Sequence, residues 1–371
     1  MKFYHIALLA LGITIPATAA QNNENENDTD NNFDGYSIEA PAVNNAPQTS
    51  TKDLGAFVDK LADRIELHGY VQGGYDYNTQ TNDNSFNFKR TVFWAKAKIT
   101  DQWSFLFMHD FNAKPLEFYT DFRPFKGLGF RLGQFKNSFS LENPLSPTSV
   151  ELIDCYAQSV LYLAGIGGDP LFGNHTGRDL GFLIFGDAGN TGLSYELGIM
   201  NGTGINTRDG NKSKDLIGKL TYKLIDPLSV VISGQLGHGH AIANSPFNPY
   251  VKDGQNYRRH RISAGASYQT APFSLRAEYL KGWDGPVQSQ GAYVTTTTNI
   301  TKDVDAVASV DYFDRNTEIG LHQTNYTLGV QYWFFPKCRV QLQWTYCDPT
   351  SSWKKNYNMI QLQTQIRFDT H

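Results

Sequence analysis

The stretch CRVQLQWTYCD, residues 338–348, alternates between apolar and polar side chains. Every second position from Cys338 to Tyr346 is apolar, and the positions between them, Arg339 to Thr345, are polar. Side chains of a strand point alternately to opposite faces, so this stretch predicts a strand with one apolar and one polar face. In a soluble sheet the apolar face packs in a core, whereas in a membrane barrel it meets lipid and the polar face lines the interior. One strand is compatible with both.

The same two-residue period recurs along the chain from about residue 65. Clear examples are WSFLFMHDF (103–111), LSYELGI (193–199), DLIGKLTYKL (215–224), RRHRISAGASY (258–268), SLRAEYL (274–280) and MIQLQTQIRF (359–368). Counting such stretches predicts about sixteen strands. High aromatic and glycine content, with 24 Phe, 20 Tyr and 33 Gly, also favours β structure.

The connections between these strands alternate in length. Short turns rich in Pro, Gly and Asp are predicted at 100–102, 123–127, 186–190, 226–227, 270–272, 301–303 and 336–337. Longer polar connections are predicted at 79–84, 112–114, 139–176, 202–213, 238–256, 283–289, 314–324 and 349–356. An even number of strands with short turns at one rim and long loops at the other is typical of a closed antiparallel transmembrane β-barrel. The alternative is a secreted β-sandwich, which does not require this sorting of loops.

The N-terminal region has three segments of different composition. Residues 1–20 combine Lys2, a short apolar run and small residues, which predicts a secretory signal peptide. Residues 21–50 are Asn-rich and acidic, without Lys or Arg, which predicts a disordered tail. Residues 51–64 carry apolar side chains at helical spacing, which predicts a short periplasmic amphipathic helix before a barrel of residues 65–371.

Neither catalytic nor metal-binding motifs stand out. The chain lacks GxSxG, HExxH and P-loop signatures, so we expect no enzyme activity and no cofactor. His238 and His240 lie in a predicted outer loop, where we expect solvated side chains rather than a metal site. The three cysteines have no zinc-site spacing, and Cys338 and Cys347 are too far apart on one strand to form a disulfide.

Several stretches in order along the chain resemble the phosphate-selective porin O and P family of outer-membrane proteins. They are LHGYVQGGYDY (67–77), FKRTVFWAKAKITDQWSF (88–105), FRLGQFKNSFSLE (130–142), GRDLGFLIFG (177–186), GIMNGTGIN (198–206), LRAEYLKGWDG (275–285), VDYFDRN (310–316) and IQLQTQIRF (360–368). The resemblance implies a 16-stranded barrel in the outer membrane that passes small anions and is commonly a homotrimer. Such barrels usually end on an aromatic residue, whereas three residues follow Phe368 here.

If the apolar faces meet lipid, the opposite faces carry the side chains that line the lumen. This rule predicts a basic lining that favours anions, because fixed charge in a narrow water path concentrates counter-ions. The predicted basic residues are Lys96, Lys98, Arg131, Lys136, Lys219, Lys223, Arg259, Arg261, Arg276, Arg339 and Arg367. Each of these side chains has the alternative role of bracing the barrel wall through an ion pair.

The connection 139–176 is the candidate constriction, because a loop of this length usually has a function. A short helix starting at Ser146 or Thr148 is predicted to run to Leu161. The residues assigned to the constriction are Glu151, Asp154, Tyr156 and Arg178. An outer lid against a neighbouring subunit is the alternative to a loop folded into the lumen.

The sequence therefore predicts an outer-membrane channel for passive diffusion of small hydrophilic solutes, with a preference for anions and both termini in the periplasm. A sugar-specific channel is the alternative, and it would require an aromatic track inside the lumen. The expected partners are outer-membrane lipid, small anions and other copies of the chain, without nucleic acid.

Overall fold

The computed structural model describes residues 64–350 and 352–370. The predicted signal peptide, the acidic tail and the amphipathic helix up to residue 63 lie outside the described residues. The described residues form sixteen strands and one α-helix. The strands are β1 Ile65–Asn78, β2 Asp83–Lys98, β3 Trp103–Asp110, β4 Pro115–Phe125, β5 Leu128–Lys136, β6 Arg178–Asp187, β7 Leu193–Met200, β8 Asp215–Ile225, β9 Leu228–His240, β10 Asn256–Thr270, β11 Phe273–Asp284, β12 Val287–Asn299, β13 Val304–Asp314, β14 His322–Phe335, β15 Cys338–Pro349 and β16 Tyr357–Asp369.

Every strand pairs with its neighbours in sequence, and the sheet closes on itself. The first and last strands pair antiparallel, with Gly69 opposite Phe368 and Asn78 opposite Met359. Closure removes the two free edges that an open sheet would present. The predicted fold, a closed antiparallel barrel of about sixteen strands, is confirmed.

The two-residue period corresponds to the outside and the inside of the barrel. In β15, Leu342 and Trp344 are 48% and 42% exposed on the outer surface, whereas Gln341 and Gln343 are 1% and 3% exposed. The polar face of this strand was predicted to meet water in a pore. It is instead covered by protein, because a loop occupies the lumen next to it.

The two rims differ in the length of their connections, although less regularly than predicted. One rim, called here the short-turn rim, carries seven tight connections, such as those at 226–227 and 336–337. The other, the long-loop rim, carries connections as long as 137–177. The predicted long connection 283–289 is wrong, because β11 continues to Asp284 and β12 begins at Val287. Gly285, at a φ of 61°, makes this two-residue turn possible.

The connection between β5 and β6, residues 137–177, is called here the lumen loop. Its helix α1 spans Gln158–Leu163 and contacts β11, β12 and β13. The helix predicted from Ser146 or Thr148 is therefore wrong in its start, because the intervening carbonyls bind the barrel wall instead of amides one turn later. Cys155, at a φ of 74°, also interrupts any helix there. Among the described residues, no helix is long and apolar enough to cross a membrane.

Candidate pore and its constriction

The lumen loop is fastened to one side of the barrel by hydrogen bonds from inward-facing side chains. Gln341 and Gln343 both donate to the carbonyl of Glu151 at 2.8 Å. Arg339 donates to the carbonyl of Val150 at 2.7 Å, and Gln365 donates to that of Thr148 at 3.2 Å. Buried carbonyls need such partners, so β15 and β16 hold the loop largely by its backbone.

An ion-pair cluster holds the same loop to β11. The Arg276 guanidinium lies 2.9 Å from the Glu142 carboxylate and 2.6 Å from that of Glu151, both in the loop. Burial raises the pKa of Glu142 to about 7, against the opposing effect of Arg276. Glu151 also pairs with Arg276, so the guanidinium has two carboxylate partners in the loop.

The helix of the loop ends on two further arginines. Arg259 and Arg261, both on β10, donate to the carbonyl of Leu163 at 3.3 Å and 3.2 Å. Arg261 also pairs with Asp284 at 2.7 Å. Positive charge at a helix C-terminus is favourable, so this contact fixes the end of the loop helix. The loop thus occupies the part of the lumen next to β10–β16.

Open space remains along the opposite wall as two cavities. The inner cavity has a volume of about 570 Å³ and reaches Arg123 and Asp187, next to the short-turn rim. The outer cavity, of about 470 Å³, reaches Ala113 and Arg315 at the long-loop rim. Tyr70, Pro147 and Arg178 line both cavities. We call these three residues the neck, since they lie where the two cavities adjoin.

Basic side chains outnumber acidic ones along this space. Among the described residues, nine basic and four acidic side chains line the two cavities. The bases are Lys89, Arg90, Arg123, Arg131, Lys136, Arg178, Lys219, Arg315 and Arg367, and the acids are Asp110, Glu117, Asp187 and Glu196.

Two of the four acids pair with a base, and the other two, Asp110 and Asp187, accept hydrogen bonds without a basic partner among the described residues. Glu117 pairs with Arg178 at 2.7 Å, and Glu196 pairs with Lys219 at 2.6 Å. Asp110 accepts hydrogen bonds from the amides of Thr91 and Asn112, both at 3.1 Å. Five of the nine bases also have a carboxylate partner, so the positive excess comes from the four that have none among the described residues, Arg90, Arg123, Lys136 and Arg315.

Three of these bases differ in whether their N–H donors are already used in hydrogen bonds within the protein. Lys136 donates to the carbonyls of Asn143 and Leu145 and to the hydroxyl of Tyr156, which uses all three of its protons. It therefore has no donor left for a passing solute. Arg90 donates only to Gln72, at 3.0 Å, and Arg123 is exposed, so among the described residues both keep free donors for an anion.

Comparison with known proteins identifies the family. A sequence model of the Gram-negative porin family matches residues 40–361. The chain belongs to the Gram-negative porin family. No curated protein sequence matches it. The match does not distinguish the phosphate-selective O and P porins from other Gram-negative porins.

Solved porin structures have the same fold. The anion-selective porin from Comamonas acidovorans superposes with a TM-score of 0.62 at 14% identity, covering 82% of this chain and 99% of that one. The outer-membrane protein OmpT of Vibrio cholerae gives 0.59 at 11% identity, with 82% and 97% coverage. The Salmonella typhi OmpF complex with daunomycin gives the same values. At these identities the likeness concerns the fold alone.

The structure divides the eleven predicted basic residues of this porin into three groups. Four line the inner cavity: Arg131, Lys136, Lys219 and Arg367. Four are buried under the lumen loop, away from both cavities: Arg259, Arg261, Arg276 and Arg339. Three lie on neither cavity but toward the short-turn rim: Lys96 and Lys98, which pair with Glu66, and Lys223, which pairs with Asp226.

The residues assigned to the constriction lie in or next to the lumen loop, in different environments. Glu151 turns away from the open space and binds Arg276. Asp154 accepts hydrogen bonds from Lys89 at 3.4 Å and Gln361 at 2.9 Å. Tyr156 lines the outer cavity, and Arg178 is part of the neck.

Sequence reasoning missed Arg90 and Arg123. Arg90 has the same parity on β2 as Lys96 and Lys98, so the alternation rule could have found it. Arg123 shares the parity of Asp121 on β4 but lies in a segment interpreted as a turn. Inward aromatic residues were also missed, namely Tyr70, Trp94, Tyr119 and Phe185.

The cysteines are free, as predicted, but their accessibility differs from the expectation. The alternation along residues 338–348 places Cys338 on the lipid side and Cys347 on the lumen side near the outer rim, which predicts that a polar thiol reagent reaches Cys347 more readily than Cys338. The structure contradicts this contrast, because the two are 0% and 4% exposed. The Sγ of Cys347 lies 4.0 Å from the Sδ of Met359, within the protein.

Proposed function

We propose that this porin is an outer-membrane channel for passive diffusion of small hydrophilic solutes that prefers anions. The observation that carries the proposal is the lining of the two cavities, where, among the described residues, four bases without a carboxylate partner face two acids without a basic partner. Fixed positive charge beside a narrow water path attracts anions and repels cations. The Comamonas acidovorans porin, which has the same fold, is anion-selective, and this supports the proposed anion preference.

The arrangement of the arginines supports a two-step path. Arg90 lies in the outer cavity and Arg123 in the inner cavity, with the neck between them. Both have free donors, so an anion exchanges one guanidinium for the other as it passes. Phosphate belongs to the proposed range of anions because guanidinium groups bind its oxygens well, and because of the sequence resemblance.

The proposal includes the cellular arrangement. The short-turn rim and both termini face the periplasm, following the usual arrangement of outer-membrane barrels. The active form is a homotrimer, an assembly supported by the solved trimer form of the Vibrio cholerae protein.

The test is the reversal potential of the purified protein in planar bilayers across a KCl gradient, repeated with potassium phosphate. We expect the reversal potential in the KCl gradient to be displaced from zero toward the equilibrium potential of chloride. R90Q and R123Q should each lower the ratio of chloride to potassium permeability about two- to fivefold, since one nearby charge is worth up to about 1 kcal/mol in water.

The matched control is K302Q, which removes one charge from an exposed side chain at a short turn, next to Asp303 and outside both cavities. It should leave the reversal potential unchanged. Cation preference of the unmodified protein, or equal effects of R123Q and K302Q, would refute the proposal.

A further inference from the structure

The inner cavity has an apolar wall that the transport of simple ions does not require. Leu106 and Met108 project into it from β3, and Leu183 and Phe185 project from β6. On β3 the opposite face also carries apolar residues, including Phe107, which is 38% exposed on the outer surface. This strand is therefore apolar on both faces, unlike the alternation expected of a wall between lipid and water.

Aromatic and basic groups are interleaved next to this wall. The guanidinium carbon of Arg123 lies 4.7 Å from the ring centre of Phe185, and that of Arg367 lies 5.5 Å from Trp94. Met108 Sδ is 3.9 Å from Nη2 of Arg178 at the neck. Each apolar surface thus has a cation beside it, so a solute can touch both at once.

We propose that the inner cavity selects organic anions that join a carboxylate to an apolar, ring-sized body. The carboxylate would contact a basic side chain that lines the cavity, while the apolar body lies against Met108 and Leu183. A cavity of about 570 Å³ is within the range of small-molecule sites, which are mostly apolar with a few placed polar groups. This inference rests on the proposed anion preference and specifies its substrate class.

Benzoate and acetate separate the two contributions, because they share the carboxylate and differ in the apolar body. In planar bilayers, each is added to the full-length protein in KCl, and the fall in chloride current is measured. We expect benzoate to halve the current at a concentration about five- to tenfold lower than acetate, because burial of its ring adds binding energy.

M108Q tests the wall itself, since glutamine has nearly the shape of methionine but a polar end. It should raise the half-blocking concentration of benzoate about threefold or more and leave that of acetate unchanged. The matched control is M359Q, because Met359 lines a separate small cavity behind the lumen loop. Neither variant should move the reversal potential in KCl.

Equal block by benzoate and acetate in the unmodified protein would overturn the inference. This comparison does not depend on whether any variant folds. Equal benzoate block of M108Q and M359Q would also overturn the inference. If the KCl reversal potential shows anion preference but benzoate behaves like acetate, only the substrate class fails. If that potential shows no anion preference, the proposed function fails as well.

Discussion

The Arg276 guanidinium on β11 lies 2.9 Å from the buried carboxylate of Glu142 in the lumen loop. In R276Q this carboxylate and that of Glu151 lose their cation, and breaking a buried pair costs about 3–5 kcal/mol. We expect the loop to leave the wall, so single-channel current should become larger and noisier. R258Q is the control, because it also removes an arginine charge from the barrel wall, but Arg258 on β10 is exposed. A steady current of unmodified size in R276Q would mean that the backbone anchors suffice.

The net charge of the neck can be changed by one substitution, because Arg178 pairs with Glu117 at 2.7 Å. E117Q keeps the hydrogen-bonding shape and adds one net positive charge where the cavities adjoin. The ratio of chloride to potassium permeability should rise about two- to fivefold in reversal-potential measurements. E318Q changes the charge equally on an exposed outer loop and should have little effect. Equal shifts in both variants would show that the neck has no special influence.

Arg131 makes a two-point contact with Asp121, at 2.7 Å and 2.8 Å, and stacks 3.8 Å above the ring centre of Tyr119. Such a pair adds no net charge to the inner cavity. The double variant D121N/R131Q should therefore leave the reversal potential in KCl unchanged, in contrast to R123Q. A shift as large as that of R123Q would show that Arg131 acts on ions despite its partner.

The residues after Phe368 contribute to closure of the barrel. Asp369 lies 2.7 Å from Nδ1 of His68 and 3.1 Å from Arg367, and Thr370 exchanges two hydrogen bonds with Leu67. D369A should lower the free energy of unfolding by about 1–3 kcal/mol, because hydrogen bonds to charged groups are lost in a partly buried site. Unfolding in urea, followed by the gel mobility of the folded barrel, measures this.

D303A is the control for that measurement, since Asp303 lies in another short turn and pairs only with the exposed Lys302 among the described residues. Its effect should be below about 1 kcal/mol. Equal losses of unfolding free energy in the two variants would show that the contacts of Asp369 between the first and last strands do not contribute specifically to stability.

All three thiols should be inert in the folded porin. Cys155, Cys338 and Cys347 are 0%, 4% and 0% exposed. A charged methanethiosulfonate reagent should modify none of them in detergent and all of them after denaturation, as counted by mass spectrometry. Rapid labelling of Cys347 without denaturation would show that the lumen loop opens often enough to expose the strand beneath it.

The fold could be predicted from the sequence because a period of two survives in nearly every strand. The predicted connections were less accurate, and their errors have local causes. Gly285 and Pro286 make a tight turn inside a polar stretch that resembles a loop, so the predicted connection 283–289 was too long.

The candidate site was less predictable. Parity indicates that Arg131 and Arg339 both point inward, but it does not reveal which of them the lumen loop covers. That depends on where backbone carbonyls such as that of Val150 come to lie, and carbonyls have no signature in a sequence. The distinction between a free arginine and an anchoring arginine therefore arises only in the folded structure.

The anchors of the lumen loop also impose an order on assembly. Thr148 is held by Gln365, 217 residues later in the chain. Contacts of such sequence separation form only after the intervening chain has been organised. The loop can complete its docking only when the final hairpin, β15–β16, has joined the wall, so the last strands to be added finish the narrowing of the lumen.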